Sequence, residues 1–140
     1  MQASRLIAVR AVLMFALAAC LSAGCKPAGA PAEESRISKL GTYYGRYIAA
    51  NKGKTPGSEA EFKKFIKGLD ADANVDELFT SPRDSQAYMV RYGIPAGMPG
   101  SKVVAVYERN AIDGKRMVAM STGEMQTVDE AEFMKLVPQK

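Results

Sequence analysis

The 140-residue sequence predicts an α+β fold: an N-terminal helix and a short second helix packed on a four-stranded antiparallel meander, followed by a short C-terminal helix. Three observations predict it. Apolar residues recur at steps of three and four from Ile37 to Ile48, and again from Phe62 to Leu69, as on one face of a helix. After Ser85 the pattern changes to alternation, in short runs rich in Val, Tyr and Met. The strand runs are separated by Gly-containing turns and not by helices, which is the order of an antiparallel sheet.

The first 24 residues stand apart. Arg5 and Arg10 are their only charges, and the run from Ala11 to Gly24 is apolar or small. A basic start, an apolar stretch and a small-residue zone have the form of a secretory signal peptide. The apolar run is shorter than the ~20 residues that a transmembrane helix needs, which disfavours a retained span. A Cys directly after small residues resembles the lipobox of bacterial lipoproteins. That resemblance implies diacylation of the thiol, cleavage just before it and acylation of the new amine. Two positions fit. Leu17-Ala18-Ala19-Cys20 has the family's favoured Leu, and Ser22-Ala23-Gly24-Cys25 has Gly before the Cys but Ser in place of that Leu. Cys25 is favoured, with Cys20 as the alternative. Using Cys20 leaves only nine apolar residues after Arg10 and strands Cys25 as a lone thiol in an oxidising compartment.

Residues 25–34 contain no large apolar residue and read as a flexible tether rich in Pro, Ala and Gly. Residues 35–140 form one domain, enough for a single modest core. Loss of residues 1–24 takes the formal net charge from +4 to +2, so the basic balance is partly a property of the signal and argues little for nucleic acid.

Within the domain, Ile37, Leu40, Tyr44, Tyr47 and Ile48 mark the buried face of the first helix, which Asn51-Lys52-Gly53 ends. Tyr43, Tyr44 and Tyr47 form a stripe that reads more simply as core packing than as a binding surface. Thr55-Pro56-Gly57 is a turn, and Ser58 with Glu61 has the form of a capping box. The second helix buries Phe62, Phe65, Ile66 and Leu69, stops at Gly68, and presents Lys63, Lys64 and Lys67 to solvent. Asn74 caps a single turn over residues 75–79, and Ser81-Pro82-Arg83-Asp84 is a further turn in which Arg83 and Asp84 are candidates to pair. Strands are expected at residues 87–92, 103–107, 116–120 and 125–128, with turns at 110–114 and at Thr122-Gly123. In the first strand, Tyr88, Val90 and Tyr92 share one face. Asp129 caps the last helix with Glu132 three residues on, and Phe133 and Leu136 are its core residues.

The chemistry is narrowed by what the chain lacks. With no His there is no Ser–His or Cys–His pair and no imidazole ligand, and two Cys cannot make a four-thiolate zinc site. No nucleophile elbow or phosphate loop is present. The acidic run offers one weak calcium candidate, Asp70, Asp72, Asn74 and Asp76. Val75 stands where a calcium loop needs Gly, and Ser81 where it needs Glu, so a solvated capping loop is the simpler reading. The fifteen carboxylates read as caps and surface residues. No catalytic residue and no cofactor are assigned.

The order of a long helix, a Pro-containing loop, a short helix and an antiparallel meander resembles the globular part of type II secretion pseudopilins. The segment Ser81-Pro82-Arg83-Asp84-Ser85-Gln86-Ala87-Tyr88-Met89-Val90-Arg91-Tyr92-Gly93 is similar to the approach to their sheet. It also resembles small, mostly uncharacterised lipoproteins of planctomycete-type bacteria, as does the ending Met117-Val118-Ala119-Met120…Gly123…Asp129-Glu130-Ala131-Glu132-Phe133. The chain has no Gly-Phe-type prepilin cleavage site with Glu at the fifth mature position, so a lipid would replace the pilin helix as anchor. Calcium ligands of pseudopilins find no match here.

The expectation is a non-enzymatic envelope lipoprotein. It is held to the membrane by its acyl chains, faces the periplasm or sits in the outer membrane, and presents its domain to envelope or secretion-system proteins, without nucleic acid. The alternatives are a small periplasmic enzyme using carboxylate, Tyr, Lys or Arg chemistry, and a purely structural envelope component.

Overall fold

In a computed structural model, residues 32–95 and 102–138 of the chain are described. The first helical periodicity forms α1 (Ala32–Ala50), and the capping-box segment forms α2 (Glu59–Leu69). A single turn follows, α3 (Val75–Leu78). Four strands come next: β1 (Met89–Val90), β2 (Val104–Tyr107), β3 (Lys115–Met120) and β4 (Met125–Asp129). The chain then forms α4 (Glu130–Leu136). The strands pair antiparallel in chain order, a meander, so the α+β class and its four-stranded sheet are as the sequence predicts.

Several local signals act where they were expected. Ser58 Oγ accepts the Glu61 N–H at 3.3 Å, and Asp129 accepts the Glu132 N–H at 2.8 Å. Asn74 accepts the Glu77 N–H at 3.3 Å. The turn between β2 and β3 narrows to Asp113 and Gly114, both with positive φ, as a two-residue hairpin of right-twisted strands requires.

The differences have physical causes. α1 begins at Ala32, inside the stretch expected to be tether. At its other end Gly53 donates to the Ile48 carbonyl at 2.9 Å, but Lys52 takes the first left-handed position of that cap (φ 53°). α2 runs past Gly68 to Leu69 and is closed by the Asp70 N–H on the Ile66 carbonyl. Leu69 is not a core residue: it is 50% exposed. β1 keeps only two ladder residues of the expected six, because Ala87 bridges back to Thr80 instead.

The sheet is covered on both faces. On one side Ile37, Leu40, Tyr43, Tyr44 and Tyr47 of α1 pack with Phe62 and Ile66 of α2 over Ala105, Val106, Met117 and Ala119. On the other, Phe133 of α4 packs over Val104, Val118, Met120 and Val128. A register shift between Val104 and Val106 puts Ala105 and Val106 on the same face, which re-phases β2. Two glycines set the depth of α1. A Cβ on Gly41 would meet the Met120 carbonyl oxygen, and one on Gly45 the Ser121 carbonyl oxygen. The spacing of four puts both on one side of the helix, so its backbone can lie against the end of β3.

Candidate functional site

The groups able to do chemistry fall into separate places. Cys25 and the alternative Cys20 lie outside the described residues, so the lipidation expectation is carried by sequence alone. The tyrosine stripe is inside the core: Tyr43 and Tyr47 are 5% exposed and Tyr44 is fully buried. Phe62 receives both Tyr44 and Tyr47 edge-on, with centroids 5.7 and 6.3 Å apart. Burial pushes the Tyr44 phenol up to about 12, and its hydroxyl donates to the Arg91 carbonyl.

The acidic run does not converge. Tyr43 donates to Asp70 Oδ2 at 2.8 Å and Lys39 lies 3.4 Å from the same oxygen. These contacts, the tyrosine first, hold the Asp70 carboxyl below its ordinary range. Asn74 caps α3, and Asp76 pairs with Lys63 at 3.0 Å. Asp72 is exposed. Among the described residues no three His, Cys, Asp or Glu side chains gather as metal ligands. The lysines of α2 do more than face solvent. Lys63 bridges Glu59 and Asp76 and sits 5.1 Å from the Phe79 ring centroid. Lys67 donates to the Ala71 and Ala73 carbonyls, which ties the acidic loop to the helix.

The capping box is extended in an unexpected direction. Glu61 reaches past Ser58: its Oε2 accepts the Gly57 N–H at 2.9 Å, while Oε1 takes the Tyr47 hydroxyl in a short hydrogen bond. The tyrosine contact first, then the Gly57 N–H, holds the Glu61 carboxyl below its usual value. One side chain therefore closes the start of α2 and locks it to α1.

Not every carboxylate is a cap or a surface group. Glu108 is 1% exposed. Arg83 is its partner and not Asp84: Arg83 Nη1 lies 3.1 and 2.9 Å from the two Glu108 oxygens. Asp84 instead accepts from the Gln86 N–H and from Asn110. Glu108 Oε2 also accepts the Met117 N–H at 2.8 Å. The Glu108 carbonyl is taken by Arg116, whose guanidinium stacks 4.2 Å from the Phe133 ring centroid and pairs with Glu130 at 3.1 Å. The group is a structural clamp joining the turn before β1, the β2–β3 edge and α4.

Among the described residues, open surface clefts are accessible to a ligand. One cleft among the described residues, about 450 Å³, is a groove between α1 and α2 lined by Tyr47, Asn51, Glu61, Lys64, Phe65 and Leu69. A second, of about 290 Å³, lies beside α4 and includes Met89, Tyr107 and Arg109. Leu69 and Met134 are the large apolar side chains most exposed among the described residues. No described helix is long and apolar enough to cross a membrane. Compared with models of protein families, with curated proteins and with solved structures, the chain finds no match.

Proposed function

We propose that the protein is a bacterial envelope lipoprotein, anchored by acyl chains on Cys25, whose domain works by binding other envelope proteins and not by catalysis. The observation that carries this reading is the N-terminal pattern: Arg5 and Arg10, then an apolar run, then Ser22-Ala23-Gly24-Cys25. Multiple acyl chains give stable attachment, where one chain alone binds marginally. Since α1 begins at Ala32, the seven residue steps from Cys25 allow the helix start no more than about 25 Å from the Cα of Cys25. The domain would ride close to the bilayer. The use of Glu108, Asp70, Glu61 and Arg116 in structural contacts supports binding over chemistry. Envelope or secretion-system proteins are the class of partner.

The test is metabolic labelling with a palmitate analogue followed by fractionation. The native chain is expected in the membrane fraction with label, and Cys25→Ala in the soluble fraction without it. Label retained in Cys25→Ala but lost in Cys20→Ala would move the anchor to Cys20. An unlabelled, freely soluble native chain would overturn the reading.

A further inference from the structure

The two edges of the sheet are finished differently. β1 is interrupted on its outer side: the Tyr88 N–H donates to the Phe79 carbonyl and the Gly93 N–H to the Pro56 carbonyl, both at 2.8 Å, and Thr80 bridges Ala87. β4 has no such cover. The register shows which of its groups point outward. Met117 faces the β2 side, since its carbonyl accepts the Glu108 N–H at 3.0 Å, and Met120 faces the β4 side, since its N–H donates to the Glu124 carbonyl at 2.8 Å. Alternation along β3 therefore turns Arg116 and Val118 toward β4, where they meet Val128 and Gln126. Those two residues of β4 hold the ladder, and the N–H and C=O groups of Met125 and Thr127 point away from the sheet. Among the described residues nothing takes them.

An edge of this kind pairs with another strand unless a charge, a proline or a bulge blocks it. Met125-Gln126-Thr127-Val128 has neither charge nor proline, its pairing with β3 runs without a register shift, and the Thr127 side chain is exposed. The occupant that fits is the same edge of a second copy, because the segment is complementary to itself about a twofold axis. With Met125 opposite the partner's Thr127, Gln126 meets the partner's Gln126 on the axis and Glu124 meets the partner's Val128. Two hydrogen-bonded pairs form, each exchanging two main-chain bonds, and no like charges stand opposite. The neighbouring registers fail. Centring on Thr127 sets Glu124 against the partner's Glu130. Centring on Met125 sets Thr127 against the partner's Gly123, whose N–H is spent on the Met120 carbonyl and whose carbonyl is taken by Ser38. Unlike charges meet at the ends. Lys102, held by Glu124 at the start of β4, comes beside the partner's Asp129, an exposed carboxylate outside every ion pair of the described residues.

We propose that the β4 edge is an interface between two copies of this chain, paired antiparallel about an axis at Gln126 so that two four-stranded sheets become one. The contact is small and is best read by trapping it. It does not rest on the envelope reading above.

The test is Gln126→Cys in the purified full chain in a mild detergent, oxidised with copper–phenanthroline. Gln126 faces its counterpart in a non-hydrogen-bonded pair, where the Cα separation suits a disulfide. The expected result is a covalent dimer joined at position 126, in clear excess over the native chain and over Lys64→Cys on the exposed side of α2. Adding Thr127→Pro to Gln126→Cys removes a donor that the chain's own ladder does not use, so it should cut the dimer about tenfold. Adding Thr127→Lys, which leaves the backbone intact and sets two cations side by side across the axis, should do the same. Thr127→Val keeps the N–H and should leave the yield unchanged. A melting curve equal to that of Gln126→Cys alone shows that each added variant is folded. A yield at 126 no higher than in the native chain or at 64 would overturn the proposal, as would a dimer indifferent to a folded Thr127→Pro or Thr127→Lys.

Discussion

Glu108 carries its carboxylate into the core at the end of β2, and Arg83, 25 positions earlier, places Nη1 within 3.1 Å of both its oxygens. The ladder explains why a charge is tolerated there. The Glu108 N–H donates to the Met117 carbonyl, but the Met117 N–H finds the Glu108 side chain where a backbone carbonyl would stand. The backbone carbonyl of Glu108 has been taken by Arg116. The carboxylate thus completes the sheet, and the guanidinium balances it.

Removing either member is expected to be costly in different degrees. Arg83→Ala leaves a buried carboxylate with one donor, for an expected loss of about 2–4 kcal/mol, at the lower side of the cost of breaking a buried pair because Arg83 is partly exposed. Glu108→Gln keeps an acceptor for the Met117 N–H and should lose only about 1–2 kcal/mol. Urea denaturation of the two variants checks the order, and a double-mutant cycle isolates the coupling. Equal, small losses would show that the pair is not structural.

The same substitution at two glycines should act with opposite sign. Gly45→Ala drives a methyl group into the Ser121 carbonyl oxygen, a backbone atom that cannot step aside. Overpacking of this kind costs about 1–3 kcal/mol. Gly68→Ala meets nothing within 4 Å inside the last turn of α2 and should gain about 0.5–1 kcal/mol from helix propensity. Thermal melts of the pair should move in opposite directions.

These residues show which parts of the fold were legible. Helix faces, caps and turns are local: Ser58 and Glu61, Asp129 and Glu132, or Asp113 with Gly114 carry their reason within four residues. Glu108 was missed because its burial depends on Arg83 and on the register shift in β2. Its one sequence signal was phase, two residues beyond the buried Val106. Gly41 and Gly45 stand four apart, but what they approach lies almost 80 residues on, which no local pattern reports. Leu69 fitted the helical period and still faces out, because α2 ends there with nothing packed beyond it.

Acid should loosen the α1–α2 contact. Asp70 and Glu61 both have folded-state values below their ordinary ones, through hydrogen bonds from Tyr43 and Tyr47. A depressed value means that the stabilisation is complete above the unfolded value, about 4, and fades as pH falls through the folded one. The urea midpoint should therefore drop below pH 4. In Asp70→Asn with Glu61→Gln that drop should be shallower, and an unchanged slope would remove these two contacts from the account.

Alkali should act on the same helices from the other side. Burial raises Tyr44 to about 12 and raises Tyr92, while Tyr47 is raised by its bond to Glu61. A raised value means that the stabilisation is full below the unfolded value of about 10 and is lost as pH climbs through the folded one. Tyrosinate absorbance should appear late, in one cooperative step with loss of helical circular dichroism. Tyr44→Phe, which removes the ionisable hydroxyl but keeps the ring against Phe62, should shift that step upward.

The second face of the sheet depends on one stacked cation. Arg116 holds its guanidinium carbon 4.2 Å from the Phe133 ring centroid, with Nη1 on the Glu108 and Arg109 carbonyls and Nη2 on Glu130. Lysine would supply the charge but neither the plane nor the separate donors, so Arg116→Lys should lose about 1–2 kcal/mol. Phe133→Ala removes a fully enclosed ring from the cluster of Val104, Val118, Met120 and Val128, for about 3–5 kcal/mol. Hydrogen exchange separates the two effects. In Arg116→Lys the amides of α4 should open faster while those of α1 keep their protection, since α1 packs on the opposite face. Faster exchange in α1 as well would mean that the two faces unfold as one unit and that the clamp at Glu108 couples them.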